Sequence, residues 1–297
     1  MRPRGTGHIT GVLGWPLEHT LSPAIHNAAF RHLGLDWIYL PFPVRPELLA
    51  DSVRGLVALG AMGANVTMPH KESIIPLLHD ISGDARAVGA VNTLQRIGDR
   101  LIGHNTDVDG FREFLVGDAG VRIEGKRALV LGSGGAARAV VKALDDLGAS
   151  KIVIAARDPG RGSSLVRLVR PGTARVEPWD RGEAIARESD VIVNATPLGT
   201  RSANPLPGVR FGPGQAVIDL VYTPPSTALV EAARAGGADG WGGLGMLVHQ
   251  AAASFRIWTG QDPPIEAMSA AAVHSIGSRA LGAGSTVPRR VPKDEEG

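Results

Sequence analysis

Four short polar segments interrupt an otherwise apolar stretch of sequence, at residues 18–23, 65–72, 89–93 and 105–110. Together they supply hydroxyl, carboxamide, ammonium and carboxylate groups, and Lys71 is the candidate for moving a proton. Each segment taken alone is more simply explained as a helix cap or a turn. However, all four lie at the ends of predicted strands or the starts of predicted helices, where open α/β sheets bind ligands. Jointly they predict a site for a small polyhydroxylated ligand with an anionic group.

A glycine-rich loop in the middle of the chain indicates a second kind of ligand. Gly132, Gly134 and Ala137 fit the G-x-G-x-x-A pattern of dinucleotide-binding proteins. The first glycine permits a tight turn, the second lets a pyrophosphate approach the backbone, and the alanine allows close helix packing. An apolar predicted strand precedes the loop and a helix with an apolar stripe follows it. We therefore predict nucleotide binding at the helix N-terminus, with a purely structural turn as the alternative.

The choice of cofactor depends on the residues at the end of the second strand, about 20 positions after such a loop. That stretch here is Ala156-Arg157-Asp158-Pro159-Gly160-Arg161. Arg157 and Arg161 could hold the 2′-phosphate of NADP through charge-assisted hydrogen bonds. Asp158 could bind the ribose 2′-hydroxyl of NAD, or could cap the following turn. The pattern favours NADP and leaves NAD open.

The elements that position these segments alternate between strands and helices. In the first region the sequence predicts strands at 9–13, 37–44 and 64–68, helices at 22–33, 46–59 and 69–79, and a hairpin of 90–97 with 100–104. Ser22, which precedes Pro23, is the predicted N-cap of the first helix.

In the second region predicted strands lie at 127–131, 151–156, 191–195 and 216–221, separated by helical stretches. This alternation implies a parallel sheet with right-handed crossovers. An amphipathic helix follows at 247–258. The predicted fold class is α/β with two domains, an N-terminal α/β substrate domain and a Rossmann-type doubly wound dinucleotide-binding domain.

Composition excludes several classes of function. The chain has 297 residues, a length typical of two domains, and 31 basic against 29 acidic residues give a formal net charge of +2. So small an excess does not suit a nucleic-acid-binding surface. There is no cysteine, which excludes disulfides, thiolate metal ligands and thiol nucleophiles. We expect no metal, no nucleic acid and no membrane partner, and a cytoplasmic location.

In order and spacing, the polar segments resemble those of the shikimate dehydrogenase family. The resemblance continues through residues 194–199, 217–224 and 245–251, and it covers about residues 8–276. It implies a substrate-binding domain of residues 1–108, which is rejoined by C-terminal helices at 246–277, and an NADP-binding Rossmann domain of residues 109–245. Residues 278–297, rich in proline and charge, are predicted to be a disordered tail.

The resemblance also implies an activity, the reversible NADPH-dependent reduction of 3-dehydroshikimate to shikimate in chorismate and aromatic amino acid biosynthesis. Lys71 would be the general acid/base, with Asp107 as its partner. The residues placed at the substrate are Thr20, Ser22, Asn65, Thr67, Asn92, Asp107, Tyr222 and Gln250. Those placed at the cofactor are Gly132, Ser133, Gly134, Gly135, Ala136, Ala156, Arg157, Asp158, Arg161, Leu220 and Gly243.

The sequence departs from the family pattern beside Arg157, where Ala156 and Asp158 replace the usual Asn and Thr. This departure keeps open an NAD-dependent quinate/shikimate dehydrogenase, and an aminoshikimate dehydrogenase is a related alternative. A catalytically silent ligand sensor on the same scaffold is a third, although a sensor would not need both Lys71 and Asp107. The expected partners are small-molecule substrates, and the sequence leaves open whether the chain forms a homodimer.

Overall fold

Two six-stranded sheets organise the chain in the computed structural model, which describes residues 6–18, 20–200 and 203–282. The strands of the first sheet are β1 His8–Gly14, β2 Trp37–Pro43, β3 Gly63–Val66, β4 Asp80–Ile81, β5 Thr93–Ile97 and β6 Arg100–His104. Those of the second are β7 Arg127–Leu131, β8 Lys151–Ala156, β9 Ala174–Pro178, β10 Val191–Asn194, β11 Ala216–Asp219 and β12 Asp239–Gly242. The α/β class is confirmed.

The helices connect these strands. They are α1 Ser22–His32, α2 Leu49–Ala58, α3 Gly83–Val88, α4 Asp107–Glu113, α5 Gly135–Asp146, α6 Pro159–Val166, α7 Gly182–Ala186, α8 Ala228–Ala235, α9 Leu244–Thr259 and α10 Ile265–Gly282. A π-helical turn, Phe114–Asp118, continues α4. No helix in the described part of the chain is long and apolar enough to span a bilayer.

The first sheet is mixed, in the order β2-β1-β3-β5-β6-β4. β1 pairs in parallel with β2 and β3, while β5 is antiparallel to both β3 and β6. The predicted hairpin is confirmed, and its turn at Gly98 has a φ of 61° that glycine adopts without strain. Because β5 runs against β3 and β6, its first residue lies at the edge of the sheet where those two strands end.

The second sheet is parallel throughout, in the order β12-β11-β10-β7-β8-β9. Numbered within this sheet, the order from β9 is 3-2-1-4-5-6, that of a doubly wound dinucleotide-binding fold. β7 and β8 have the predicted bounds. The order reverses between β7 and β10, and the glycine-rich loop leaves β7 at that switch point, where such folds bind their ligands.

The C-terminal helices return to the first sheet. Phe255 and Met268, from α9 and α10, are completely buried in one apolar cluster with Val12, Ile25 and Phe30 of the N-terminal region. Burial of this apolar surface fixes the position of α9, the helix that carries Gln250.

Three predictions from the sequence were wrong in detail. Residues 69–79 form turns and a short 3₁₀ segment, Ile75–Leu77, because Pro76 removes a backbone donor that an α-helix would need there. Ser22 is the first helical residue and not the N-cap, and its N–H donates to Thr20 Oγ1 at 3.3 Å. α10 runs to Gly282, beyond the predicted start of the tail at 278. The remaining tail, 283–297, lies outside the described residues.

Candidate active site

A cleft of about 670 Å³ lies between loops of the first sheet and loops of the second. Its lining includes every residue predicted to bind substrate or to transfer a proton, namely Thr20, Ser22, Asn65, Thr67, Lys71, Asn92, Asp107, Tyr222 and Gln250. The polar groups come from six separate parts of the chain, and the fold brings them together. The volume and polarity suit a small hydroxylated molecule.

The topology of the first sheet explains this convergence. Thr67 and Lys71 follow β3, and Asp107 follows β6, so all three leave the sheet at the same edge. Asn92 reaches that edge because β5, which begins immediately after it, runs in the opposite direction. Gln250 enters from α9.

Lys71 and Asp107 form an ion pair in the wall of the cleft, with Nζ and Oδ2 2.5 Å apart. Their side chains are 18% and 6% exposed, so the pair is largely shielded from water. Asp107 is also the first residue of α4, where the helix dipole favours a carboxylate. An ammonium group has three donors, so Lys71 can contact Asp107 and still donate to a ligand oxygen. The arrangement is therefore able to transfer a proton to a bound carbonyl.

A buried hydrogen-bond network orients the carboxamide of Asn65 behind the cleft. Its Nδ2 donates to Ser254 Oγ at 3.0 Å and to Thr93 Oγ1 at 3.1 Å. Its Oδ1 accepts from the Tyr39 hydroxyl at 2.7 Å. Burial raises the pKa of Tyr39 well above its ordinary value, so that side chain stays a neutral donor. Protein groups therefore hold both the nitrogen and the oxygen of the Asn65 amide.

Asn92 is held in a similar way, and it reaches the acid/base pair directly. Its Nδ2 donates to Asp107 Oδ1 and to Thr106 Oγ1, both at 2.9 Å. Its Oδ1 accepts from the backbone N–H of Thr106 at 2.8 Å. Only 2% of Asn92 is exposed, so its orientation is set by protein groups rather than by solvent.

The glycine-rich loop borders the same cleft from the second sheet. Gly132 has a φ of +109°, and a Cβ built there would lie 2.9 Å from Thr196 Cγ2. A Cβ on Gly134 would instead meet open space, with no atom of the described residues within 4 Å apart from its chain neighbours. One on Gly135 would lie 3.1 Å from Lys71 Cδ. The loop thus has a turn that requires glycine, an open cradle beside it, and contact with the acid/base residue.

The predicted cofactor residues fall into two groups. Ala136, Leu220 and Gly243 line the cleft. The other eight do not line it but lie from the end of β7 or β8 into the first turn of the helix that follows, at one edge of the second sheet: Gly132, Ser133, Gly134, Gly135, Ala156, Arg157, Asp158 and Arg161.

Asp158 caps α6. Its Oδ1 accepts the backbone N–H of Arg161 at 3.1 Å, so the carboxylate is committed to a helix N-terminus. Arg157 and Arg161 are exposed. Arg161 Nη2 lies 3.3 Å from Glu72 Oε1, which belongs to the residue directly after Lys71.

Asp219 orders the loops that carry Leu220 and Tyr222. It is completely buried and accepts hydrogen bonds from Asn194 Nδ2, Thr227 Oγ1 and the Val221 N–H at 2.9, 2.7 and 3.1 Å. Burial raises the pKa of its carboxyl group, although these three donors oppose the shift.

Sequence reasoning missed part of the site. Ser254, which holds Asn65, lies one helical turn after Gln250, and that i, i+4 spacing was the available signal. The contact of Glu72 with Arg161 had no signal, because the two residues come from different sheets. Further cleft residues that were not predicted are Val12, Pro16, Leu17, Glu18, Val66, Met68, Thr200, Met246 and Leu247. Among the described residues, no three His, Asp or Glu side chains cluster as a metal site would require.

Comparison with known proteins gives consistent matches along the chain. Residues 12–94 match the family model of the shikimate dehydrogenase substrate binding domain. Residues 116–203 match that of shikimate / quinate 5-dehydrogenase, and residues 243–273 that of the shikimate 5′-dehydrogenase C-terminal domain.

Similar proteins match over nearly the whole length. The shikimate dehydrogenase (NADP(+)) of Geobacter metallireducens is 46% identical over 268 residues, which cover 88% of this chain and 94% of that protein. That of Methanothermobacter thermautotrophicus is 42% identical and covers 89% and 95%. The crystal structure of shikimate 5-dehydrogenase from Thermus thermophilus, in complex with NADP(H) and shikimate, has a TM-score of 0.81 at 36% identity and covers 90% and 99%.

Proposed function

The chain belongs to the shikimate dehydrogenase family, and from this premise we propose that it catalyses the reversible NADPH-dependent reduction of 3-dehydroshikimate to shikimate in aromatic amino acid biosynthesis. The observation that carries the proposal is the shielded Lys71–Asp107 pair in a polar cleft bordered by a glycine-rich loop. Ketone reduction needs a hydride at carbon and a proton at oxygen, and the cleft combines groups for both.

We assign the hydroxyl groups of Thr20 and Ser22 to the substrate carboxylate. Both line the cleft at the N-terminus of α1, and a helix N-terminus favours an anion. The ring hydroxyls would be bound by the remaining polar residues of the cleft, Asn65, Thr67, Asn92, Tyr222 and Gln250. Protein groups hold the amides of Asn65 and Asn92, so the orientation of both side chains is set before substrate binds.

Lys71 donates the proton to the ketone oxygen in the reduction and accepts it from the hydroxyl group in the oxidation. Asp107 holds the ammonium group in place and balances its charge. Asn92 in turn holds the carboxylate, so the position of the proton donor depends on two residues behind it.

The residues present fit NADPH, which when bound supplies the hydride. Gly132 makes the turn, Gly134 leaves open space for a pyrophosphate, and the N-terminus of α5 offers backbone donors. Arg157 and Arg161 would hold the 2′-phosphate. In NAD-dependent proteins a carboxylate near this position binds the ribose 2′-hydroxyl. Here the carboxylate of Asp158 caps α6 instead, which supports NADP as the cofactor.

We propose residues 1–108 with 246–277 as the substrate-binding domain and 109–245 as the NADP-binding domain. The described strands of the first sheet lie between His8 and His104, and those of the second between Arg127 and Gly242. The packing of α9 and α10 with Val12, Ile25 and Phe30 supports the assignment of these C-terminal helices to the substrate-binding domain. A cytoplasmic location and a homodimer are further hypotheses, for cell fractionation and analytical ultracentrifugation to test.

The decisive experiment compares initial rates of the purified protein with shikimate and quinate, each against NADP⁺ and NAD⁺, followed by the absorbance of the reduced nicotinamide. We expect shikimate with NADP⁺ to be the preferred pair. Preference for NAD⁺, above all with quinate, would replace the proposal with a quinate dehydrogenase. Cofactor binding without turnover of either substrate would favour a ligand sensor.

A further inference from the structure

We propose that Glu72 weakens the binding of the 2′-phosphate of NADP(H) by competing with it for Arg161, and so sets how strongly the protein distinguishes NADP(H) from NAD(H). This inference rests on the proposed function, since it assigns Arg161 to the phosphate. It concerns a residue that follows β3 of the first sheet and contacts an arginine of α6, which belongs to the second.

Glu72 and Arg161 form an ion pair between a loop of the first sheet and a helix of the second. Arg161 Nη2 lies 3.3 Å from Glu72 Oε1, and the backbone of Arg161 is fixed because its N–H donates to Asp158 Oδ1. Glu72 follows Lys71 directly and is exposed at 43% of its side chain, against 60% for Arg161. An ion pair this exposed contributes little to folding stability, so its presence does not make it a structural requirement.

Glu72 occupies part of the guanidinium group of Arg161 that a phosphate would bind. A guanidinium group binds a phosphate best through two parallel N–H donors. Here one nitrogen already faces the carboxylate of Glu72. A 2′-phosphate must displace that carboxylate, or share the guanidinium with it at the cost of repulsion between two anions.

The test measures binding of two probes by titration calorimetry, without substrate. Adenosine 2′,5′-bisphosphate and 5′-AMP differ solely by the 2′-phosphate, so the ratio of their dissociation constants isolates that group. Glu72→Gln keeps the shape of the side chain and removes its charge. Glu47→Gln, which removes the charge from another exposed Arg–Glu pair, with Arg45, is the matched control.

We expect Glu72→Gln to bind the bisphosphate about threefold to tenfold more tightly at low salt, with 5′-AMP unchanged and the gain reduced at about 0.5 M salt. The gain should vanish in the Arg161→Ala background, and Glu47→Gln should behave as wild type. Equal or weaker binding of the bisphosphate by Glu72→Gln, or a gain that persists without Arg161, would overturn the inference.

The same data separate this inference from the proposed function. If the wild-type protein binds the bisphosphate no more tightly than 5′-AMP, the NADP assignment itself fails. If the wild type prefers the bisphosphate and Glu72→Gln leaves that preference unchanged, the NADP assignment stands and only the role proposed for Glu72 is refuted.

Discussion

Asn92 Nδ2 donates to Asp107 Oδ1 at 2.9 Å, while the other oxygen of that carboxylate contacts Lys71 Nζ at 2.5 Å. The carboxylate is therefore fixed at both oxygens, and a rotation that broke one contact would break the other. Since Asn92 and Asp107 are 2% and 4% exposed, water cannot readily replace either group. Asn92 thus has two roles, since it lines the cleft and supports the acid/base pair.

Asn92→Ala should lower kcat by roughly 10- to 100-fold, because the unsupported carboxylate no longer holds Lys71 in its productive position. KM for the substrate should rise as well, since Asn92 also lines the cleft. Steady-state kinetics in the direction of shikimate oxidation measures both. Asn204→Ala, an amide that accepts the backbone N–H of Leu206 outside the cleft, is the control and should behave as wild type. A kcat within twofold of wild type for Asn92→Ala would refute the supporting role.

Gly132→Ala and Gly134→Ala should separate folding from cofactor binding. The first places a methyl group 2.9 Å from Thr196 Cγ2 at a φ of +109°, so we expect a loss of about 1–3 kcal/mol in the free energy of unfolding.

The methyl group of Gly134→Ala meets open space and should cost at most about 1 kcal/mol in the free energy of unfolding. It should nevertheless weaken NADPH binding at least about tenfold, because the methyl group occupies the cradle assigned to the pyrophosphate. Urea unfolding and fluorescence titration with NADPH measure the two effects. Normal NADPH affinity in Gly134→Ala would argue against that cradle.

His26 should make folding stability depend on pH. Burial lowers the pKa of this ring from 6.5 to about 3, and the ring stacks on Tyr39 with centroids 4.4 Å apart. The unfolded chain therefore binds more protons below pH 6.5, so the contribution is complete above that pH and is lost as the pH falls toward 3, by about 1.4 kcal/mol per unit.

His26→Phe removes this dependence and keeps an aromatic ring in place. Between pH 7.5 and pH 5.0 the wild-type protein should lose about 2 kcal/mol more than this variant in the free energy of unfolding. Urea unfolding at the two pH values measures the difference. His32→Gln, at an exposed position of the same helix, is the control and should lose as much as wild type. Parallel losses in wild type and His26→Phe would contradict the assignment.

Arg161→Ala should raise KM for NADPH by roughly tenfold or more and leave KM for NADH unchanged, because a charge-assisted bond to the 2′-phosphate contributes about 1.5–3 kcal/mol. Asp158→Asn is the matched comparison. Its side-chain oxygen can still cap α6, so the preference for NADPH should persist. If Asp158→Asn changed the preference more than Arg161→Ala did, Asp158 and not the arginine would select the cofactor.

Much of the fold follows from local sequence. β7 and β8 could be predicted to the residue because buried parallel strands are short apolar runs with clear ends, here Arg127–Leu131 and Lys151–Ala156. The helix predicted from Pro69 was wrong because an apolar, helix-like composition outweighed Pro76 in the prediction. The two-residue strand Asp80–Ile81 is too short to leave a pattern.

The sequence predicts many of the residues that belong to the site but not which of them contact one another. The four polar segments contained most of the polar residues of the cleft, while Tyr222 and Gln250 were predicted through the family resemblance. Which groups touch is decided by pairings across the whole chain, such as Asn65 with Ser254, 189 positions apart. The ion pair of Glu72 with Arg161 arises where loops of the two sheets meet, and no local pattern encodes such a meeting.

The proposed reaction and the role of Lys71 are tested together by the reduction of 3-dehydroshikimate with NADPH, with shikimate measured as product, in wild type and in Lys71→Ala. We expect one shikimate per NADPH consumed by wild type, and a rate roughly 10²- to 10⁴-fold lower for the variant, the usual contribution of a general acid. The variant should still bind shikimate, and Lys142→Ala, which breaks an exposed ion pair with Asp146, should leave the rate unchanged. Absence of shikimate from the wild-type reaction would refute the proposed activity, and a Lys71→Ala rate within about twofold of wild type would show that Lys71 does not deliver the proton.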